Sequence, residues 1–172
     1  VWSKDGKSIF FTNYEKGTAQ IFRMDLTTCE TEQVTDYELG IGSPVISPDE
    51  RYIAFTAEVY PDLGADAKAN KARMEKKEQG PVQAHIADKL LYRHWTSYND
   101  GRCNHLILFD TQTKTYKDLT PGNYSLIFVV GGGITYQFSP DSKEICFVSN
   151  HDEHQEASTN ADLWTVSVNG GE

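Results

Sequence analysis

Three stretches of the chain repeat one order of polar and apolar positions. Each opens on a polar turn with Ser and Asp two residues apart: Ser3-Lys4-Asp5-Gly6, Ser47-Pro48-Asp49-Glu50 and Ser139-Pro140-Asp141-Ser142. Pro48 and Pro140 preset φ for a turn, and an Asp side chain can hydrogen-bond the backbone just beyond it. Each turn runs into a strand dominated by Ile, Phe and Val, at Ser8–Thr12, Tyr52–Thr56 and Glu144–Ser149. A second apolar strand follows at Ile21–Leu26, Leu106–Asp110 and Leu163–Val168, then another polar turn. A fourth strand closes the unit at Glu32–Thr35 and again at Thr115–Leu119. The pattern predicts units of four short antiparallel strands.

Asp5 and Asp49 are 44 residues apart, which fits the ~40–45 of a four-stranded propeller blade. Asp49 and Asp141 are 92 apart, so the second unit carries about 48 residues more than one period. The fold predicted is all-β: about three four-stranded antiparallel blades of an incomplete ring, with a helix-plus-hairpin insertion. The units run over approximately 1–40, 41–125 and 126–172, and the insertion over approximately 58–104. Ala65–Gln79, rich in Ala, Lys, Glu and Met, predicts a short helix stopped by Gly80-Pro81, with Ala65, Ala69, Ala72 and Met74 as a weak apolar face. Leu90–Ser97 reads as a strand that Asn99-Asp100-Gly101 turns into His105–Asp110. On that reading the blade's middle strands extend into a long hairpin standing off the ring. Val1 is not a start residue, and the chain reads as cut. The first unit is expected to lack its first strand and the third its last. About three blades do not close a ring of 4–8, so the end sheets are expected to be an association liability.

Charge narrows the function. Sixteen Lys and Arg stand against 25 Asp and Glu, a formal net charge of −9. That argues against nucleic acid and against an anionic membrane surface. No stretch is apolar for long enough to span a bilayer as a helix. Cys29, Cys103 and Cys146 form neither a CxxC pair nor an even framework, so no disulfide or zinc site is expected. Gly131-Gly132-Gly133 lacks a following Lys-Ser or Lys-Thr and reads as flexible backbone, not a phosphate loop. His151-Asp152-Glu153-His154, with Glu156 and Asp162, has metal-ligating residue types without a metal site's spacing, and reads as an acidic loop. Neither metal nor cofactor is assigned. Asn123-Tyr124-Ser125 is a formal glycosylation sequon. No Gly-x-Ser-x-Gly elbow occurs, and no catalytic residue is assigned.

The Ser-Pro-Asp turn followed by Tyr52-Ile53-Ala54-Phe55-Thr56 resembles the blade repeat of TolB-like propellers, shared by the N-terminal propellers of the prolyl oligopeptidase family. The insertion narrows the likeness. Glu58-Val59-Tyr60-Pro61-Asp62, Gly80-Pro81-Val82-Gln83-Ala84-His85 and the run from Leu90 to Gly101 through Tyr92-Arg93-His94-Trp95 are similar to the bacterial acylaminoacyl-peptidase-like and dipeptidyl-peptidase 5 group. The resemblance implies a non-catalytic propeller segment of a serine exopeptidase. The propeller of that family caps a C-terminal α/β-hydrolase domain, which holds the catalytic Ser, Asp and His and is absent from this stretch. It restricts access to small peptides, so the implied partners are a peptide substrate and the hydrolase domain. By the same analogy the setting is periplasmic. The rival reading is a TolB-like scaffold that binds protein partners and does no chemistry; fold alone does not separate the two.

Substrate-binding candidates cluster in the insertion. On a strand, Arg93 and Trp95 point one way and Tyr92 and His94 the other. One pair facing the ring's cavity would offer a guanidinium to a carboxylate and an indole to stack. The alternative is a strand packed at the blade base, with Trp95 in the core and Arg93 paired to a nearby acid. Glu58 and Asp62 flank Tyr60. The resemblance implies an acidic propeller residue that holds a substrate's N-terminal ammonium. The alternative is a pair of solvated acids that cap or pair locally.

Overall fold

The computed structural model describes residues 1–14, 17–82, 84–87, 90, 92–94, 96–126 and 135–171. Trp95 and Gly131-Gly132-Gly133, both singled out in the sequence, lie outside the described residues. The first sheet holds β1 (Ser8–Asn13), β2 (Gln20–Asp25) and β3 (Thr31–Gln33) in that order. The second contains β4 (Gly42–Ile46) and β5 (Tyr52–Val59). After β5 come the insertion's helix α1 (Ala67–Glu78) and two-residue strands β6 (Arg93–His94) and β7 (Ser97–Tyr98). The chain then re-enters the second sheet with β8 (Cys103–Asp110) and β9 (Thr115–Asp118), giving the order β4-β5-β8-β9. The third sheet holds β10 (Tyr136–Phe138), β11 (Glu144–Ser149) and β12 (Asp162–Ser167). All three are antiparallel, as the repeat predicts.

The turn before each unit's second strand is built three times from the same bonds. Ser3, Ser47 and Ser139 donate their hydroxyls to Asp5, Asp49 and Asp141 at 2.7, 2.6 and 2.7 Å. Each hydroxyl accepts the amide of the first residue of the next strand: Ser8, Tyr52 and Glu144. Each Asp accepts the amide two residues on, from Lys7, Arg51 and Lys143. The fourth turn residue is left-handed, with φ of +69° at Gly6, +61° at Glu50 and +63° at Ser142. The same residue also staples neighbouring turns. The Glu50 carboxylate accepts the Lys4 amide, and Ser142 Oγ accepts the Asp49 amide at 3.1 Å. Ser47→Ala removes an acceptor from the buried Tyr52 amide as well as the bond to Asp49. It is expected to lower unfolding free energy by about 1–3 kcal/mol, read as a lower urea midpoint at unchanged m.

Alternation along β5 and β8 explains why successive residues are apolar over Tyr52–Phe55 and Leu106–Phe109. Ile53, Phe55, Ala57, Val59, Ile107 and Phe109 face the first sheet, where they pack on Ile21, Tyr37 and Ile41. Tyr52, Ala54, Leu106 and Leu108 face the third, against Tyr136, Phe138, Ile145, Phe147 and Val166. The middle blade is thus buried on both faces. The third sheet shows its free side on β12, where Leu163 is 75% exposed.

Three details differ from the sequence reading. The first unit keeps a remnant of its inner strand: Trp2 bridges to Ile9, and Phe10 donates its amide to Val1 at 2.8 Å. The helix starts two residues later than predicted, at Ala67, because Asp66 caps it by accepting the Ala69 amide at 3.0 Å. Its fully buried residue is Asn70; of the predicted weak face, Ala65 packs on the core around Tyr37 and Phe55, Ala69 and Met74 are half-buried, and Ala72 is exposed. The middle strands also do not extend into a long hairpin. Their ladder ends at the pair Val59–Cys103. Pro61 has no amide to continue it, and the chain turns there, with Leu63 and Gly64 both donating to the Tyr60 carbonyl. Leu90–Ser97 is not one strand; the hairpin is the short β6–β7 pair, Arg93 opposite Tyr98 and His94 opposite Ser97.

Candidate functional site

The insertion sits where the second blade's middle strands end, so its root is set by β5, β8 and the turn after Tyr60. Two ion-paired arginines hold it. Arg73 of α1 grips Asp62 with two bonds of 2.7 and 2.6 Å and lies over the Tyr60 ring at 4.6 Å. That grip holds the Asp62 carboxyl below its ordinary value. Arg102 binds Asp100 through Nε at 3.0 and 2.9 Å and Glu58 at 3.1 Å. Burial works against the Arg102 charge, but Asp100 and then Glu58 outweigh it, and its pKa rises. Lys77 of α1 donates to the Asp100 carbonyl at 3.1 Å, and Lys71 pairs with Glu38 of the first blade at 3.4 Å.

Two open cavities lie between the insertion and the blades. A cleft of about 690 Å³ runs between α1 and the first two blades, with Glu38, Glu58, Glu75 and Lys71 among its walls. A groove of about 430 Å³ lies behind it, lined by Lys77, Leu90, Tyr92, Asp100, Cys103 and Asn123. Arg102 lines both. Its ion pairs therefore form part of the partition between them.

The predicted site residues fall into two sets. Tyr92 and Arg93 are exposed on the hairpin, and Tyr92 borders the groove. His94 stands beside Arg93 in β6. The hairpin is braced by Tyr98, which stacks on His85 at 4.0 Å with 7° between the rings. Glu58 and Asp62 lie at the insertion's root, each bound to an arginine, with Glu58 facing the cleft. Sequence reasoning does not mark Arg102, because it follows Asn99-Asp100-Gly101, a string whose residue types signal only a turn. Among the described residues no group of three or more His, Cys, Asp or Glu could hold a metal. His151 of the acidic loop instead stacks between Tyr124 and Trp164, at 4.0 and 4.1 Å.

A second missed feature lies under the groove. His105 of β8 is fully buried, with Nδ1 2.7 Å from Asp118 Oδ2 and Nε2 3.0 Å from the Gly122 carbonyl. Neither partner brings a hydrogen, so both ring nitrogens donate and the ring is an imidazolium. Burial alone would push its pKa down; the Asp118 bond, helped by Cys103, overcomes this and holds it at about 9. Gly122 suits its place because its φ is +135° and an added Cβ would fall 2.3 Å from the Tyr124 ring.

Residues 64–172 match the protein family described as the dipeptidyl peptidase IV (DPP IV) N-terminal region. Dipeptidyl-peptidase 5 of Porphyromonas gingivalis is 27% identical over 177 residues, which cover 99% of this chain and 25% of that protein. The chain thus spans about a quarter of the length of such curated relatives. Among solved structures, an acylaminoacyl peptidase in complex with Z-Gly-Gly-Phe-chloromethyl ketone superposes with a TM-score of 0.58 at 18% identity, covering 97% of this chain and 24% of that one. TolB from Acinetobacter baumannii gives 0.51 at 19%, covering 99% and 30%. These two likenesses establish the β-propeller fold and no more. With its family match spanning well over half its length, the chain belongs to the dipeptidyl peptidase IV N-terminal region family, the propeller region of dipeptidyl-peptidase-like serine peptidases.

Proposed function

We propose that this propeller segment serves a serine peptidase of the dipeptidyl- or acylaminoacyl-peptidase type by shaping the path of small peptides to a separate α/β-hydrolase domain. The observation that carries this reading is the insertion: it rises from the end of one blade and frames two cavities of about 690 and 430 Å³. Both lie within the ~300–1,000 Å³ typical of small-ligand sites. Tyr92 and Arg93 are the residues assigned to touch the peptide, with His94 and Trp95 next to them in sequence. Arg93 offers a charged hydrogen bond to a peptide carboxylate. Glu58 and Asp62 act at one remove, by fixing Arg102 and Arg73 and so the position of α1.

The test is Arg93→Ala in the full-length enzyme. Loss of one charged hydrogen bond made equally in ground and transition states raises KM about tenfold and leaves kcat unchanged. An unchanged KM with a lowered melting temperature would assign Arg93 to blade support and retire it from the peptide site.

A further inference from the structure

The groove of about 430 Å³ has two unlike walls. One is apolar and comes from the insertion, through Ile86, Leu90 and Tyr92. Ile86 is 88% exposed and Leu90 62%, and Tyr92 is exposed beside them. Single exposed apolar side chains are ordinary on a protein surface, but three that line one cavity mark a contact site.

The other wall is cationic. Its charged residues are Lys77, Arg102 and Asp100, two cations against one carboxylate. Asp100 is held by Arg102 Nε at 3.0 and 2.9 Å, and Glu58 binds Arg102 from the side of the larger cleft. Lys77 donates to the Asp100 carbonyl at 3.1 Å, a neutral partner that leaves its charge uncancelled. This wall stands out on a chain of formal net charge −9, which repels an anion over most of its surface. The larger cleft has the opposite character, with Glu38, Glu58 and Glu75 among its walls.

A ligand that satisfies both walls carries an apolar side chain and a carboxylate close together. The last residue of a peptide does so, because its side chain and its carboxylate leave the same Cα. An internal Asp or Glu has its charge at the tip of the side chain and brings nothing to the apolar wall. We propose that the groove binds the free C-terminal end of a peptide whose last side chain is large and apolar. Lys77 takes the carboxylate, and Ile86, Leu90 and Tyr92 cover the side chain. This deepens, and rests on, the reading of the insertion as a wall of the peptide's path. Arg93 is not among the groove's walls, so it is left to a different carboxylate of the peptide.

The experiment is titration calorimetry on the full-length protein, pretreated with a serine-reactive phosphonate so that no peptide is cleaved. The probes are N-acetyl-Gly-Gly-Leu as free acid and as C-terminal amide, N-acetyl-Gly-Gly-Gly as free acid, and N-acetyl-Gly-Asp-Leu amide. The leucine acid is expected to bind about tenfold tighter than its amide, through one charged hydrogen bond. It should also bind about tenfold tighter than the glycine acid, through the apolar wall. Lys77→Gln should abolish the lead over the amide, and Ile86→Ser should reduce the lead over glycine. Both side chains are exposed, so neither change reaches the core. Equal binding of the leucine acid and amide overturns the proposal, as does a lead that survives Lys77→Gln. An aspartyl amide that binds as tightly as the leucine acid assigns the groove to acidic side chains and overturns the C-terminal assignment. No binding of the leucine acid means that another part of the full-length protein covers the groove, and it overturns the proposal too. The lead should persist in Arg93→Ala. A missing lead beside a raised KM in that variant sinks the groove assignment and leaves the path reading standing; an intact lead beside an unchanged KM does the reverse.

Discussion

Raising the pH from about 6 to about 10 is expected to remove on the order of 3 kcal/mol of folding stability through one residue, His105. In the unfolded chain this side chain titrates near 6.5; in the fold it does so at about 9. The folded state thus holds the proton more tightly, and the stabilisation is complete below about pH 6.5. It declines as the unfolded form deprotonates, and is gone once the pH has risen through the folded value of about 9. The geometry gives the cause. A neutral imidazole has one N–H for two acceptors, so either Asp118 or the Gly122 carbonyl loses its donor. The consequence is local first: Asp118 ends β9, and Gly122 belongs to the loop that carries Tyr124 and pairs with Asn104 through Ser125 and Leu126. Chemical denaturation across this pH range provides the measurement, with Asp118→Asn as comparator. The variant should be less stable at pH 6 and much flatter with pH. A wild-type stability that is constant between pH 6.5 and 9.5 would show that the ring is neutral in the fold.

The repeat was legible because its meaning is local. A Ser, an Asp two residues later and an apolar strand after them are enough to build the turn, and the turn recurs with the same bonds at Ser3, Ser47 and Ser139. The strands were legible for a similar reason, since alternation along β5 and β8 records that both faces are covered. The insertion was only half legible. Its helix follows from composition, but its anchor, Asn70, is a polar residue buried by tertiary contacts that no periodicity marks. Asn99-Asp100-Gly101 has strong hairpin chemistry. Here the side chains of Asn99 and Asp100 turn the chain by bonding the amides of Gly101 and Arg102, and the strand that follows pairs with β5 instead. Arg102 is hidden because its near partner Asp100 belongs to a string with turn chemistry and its other partner, Glu58, is distant in sequence; His105 is hidden because Asp118 and Gly122 reach it only once the sheet has formed. Candidate residues on the hairpin were recognisable from type and clustering, whereas the ion pairs that position them required three dimensions.

The other large effect expected is from Asn70→Ala. Asn70 is fully buried in α1. Its Oδ1 accepts the Tyr60 amide at 2.7 Å, and its Nδ2 donates to the carbonyls of Gly64 at 3.0 Å and Asp66 at 2.8 Å. One side chain thereby closes the turn that leads from β5 into the helix. Alanine leaves the Tyr60 amide and the Gly64 carbonyl without these partners, while the Asp66 carbonyl keeps the Asn70 backbone amide at 3.0 Å. At about 1–3 kcal/mol for each orphaned group, the loss should total about 2–6 kcal/mol. The better helix propensity of alanine returns well under 1 kcal/mol. The other polar ties, the ion pairs Arg73–Asp62 and Lys71–Glu38 and the exposed bond from Lys77 to the Asp100 carbonyl, are worth about 0–1 kcal/mol each, so they do not replace the buried Asn70 bonds. The damage should therefore be concentrated at the insertion. Amide exchange at Tyr60 and along α1 should accelerate far more than exchange in β11, which packs in the other core cluster. If α1 does frame the peptide's path, KM should also rise in the full-length enzyme while the blades remain folded. Equal protection of the Tyr60 amide in Asn70→Ala and wild type would mean that the helix is held by its ion pairs, and that Asn70 is not its anchor.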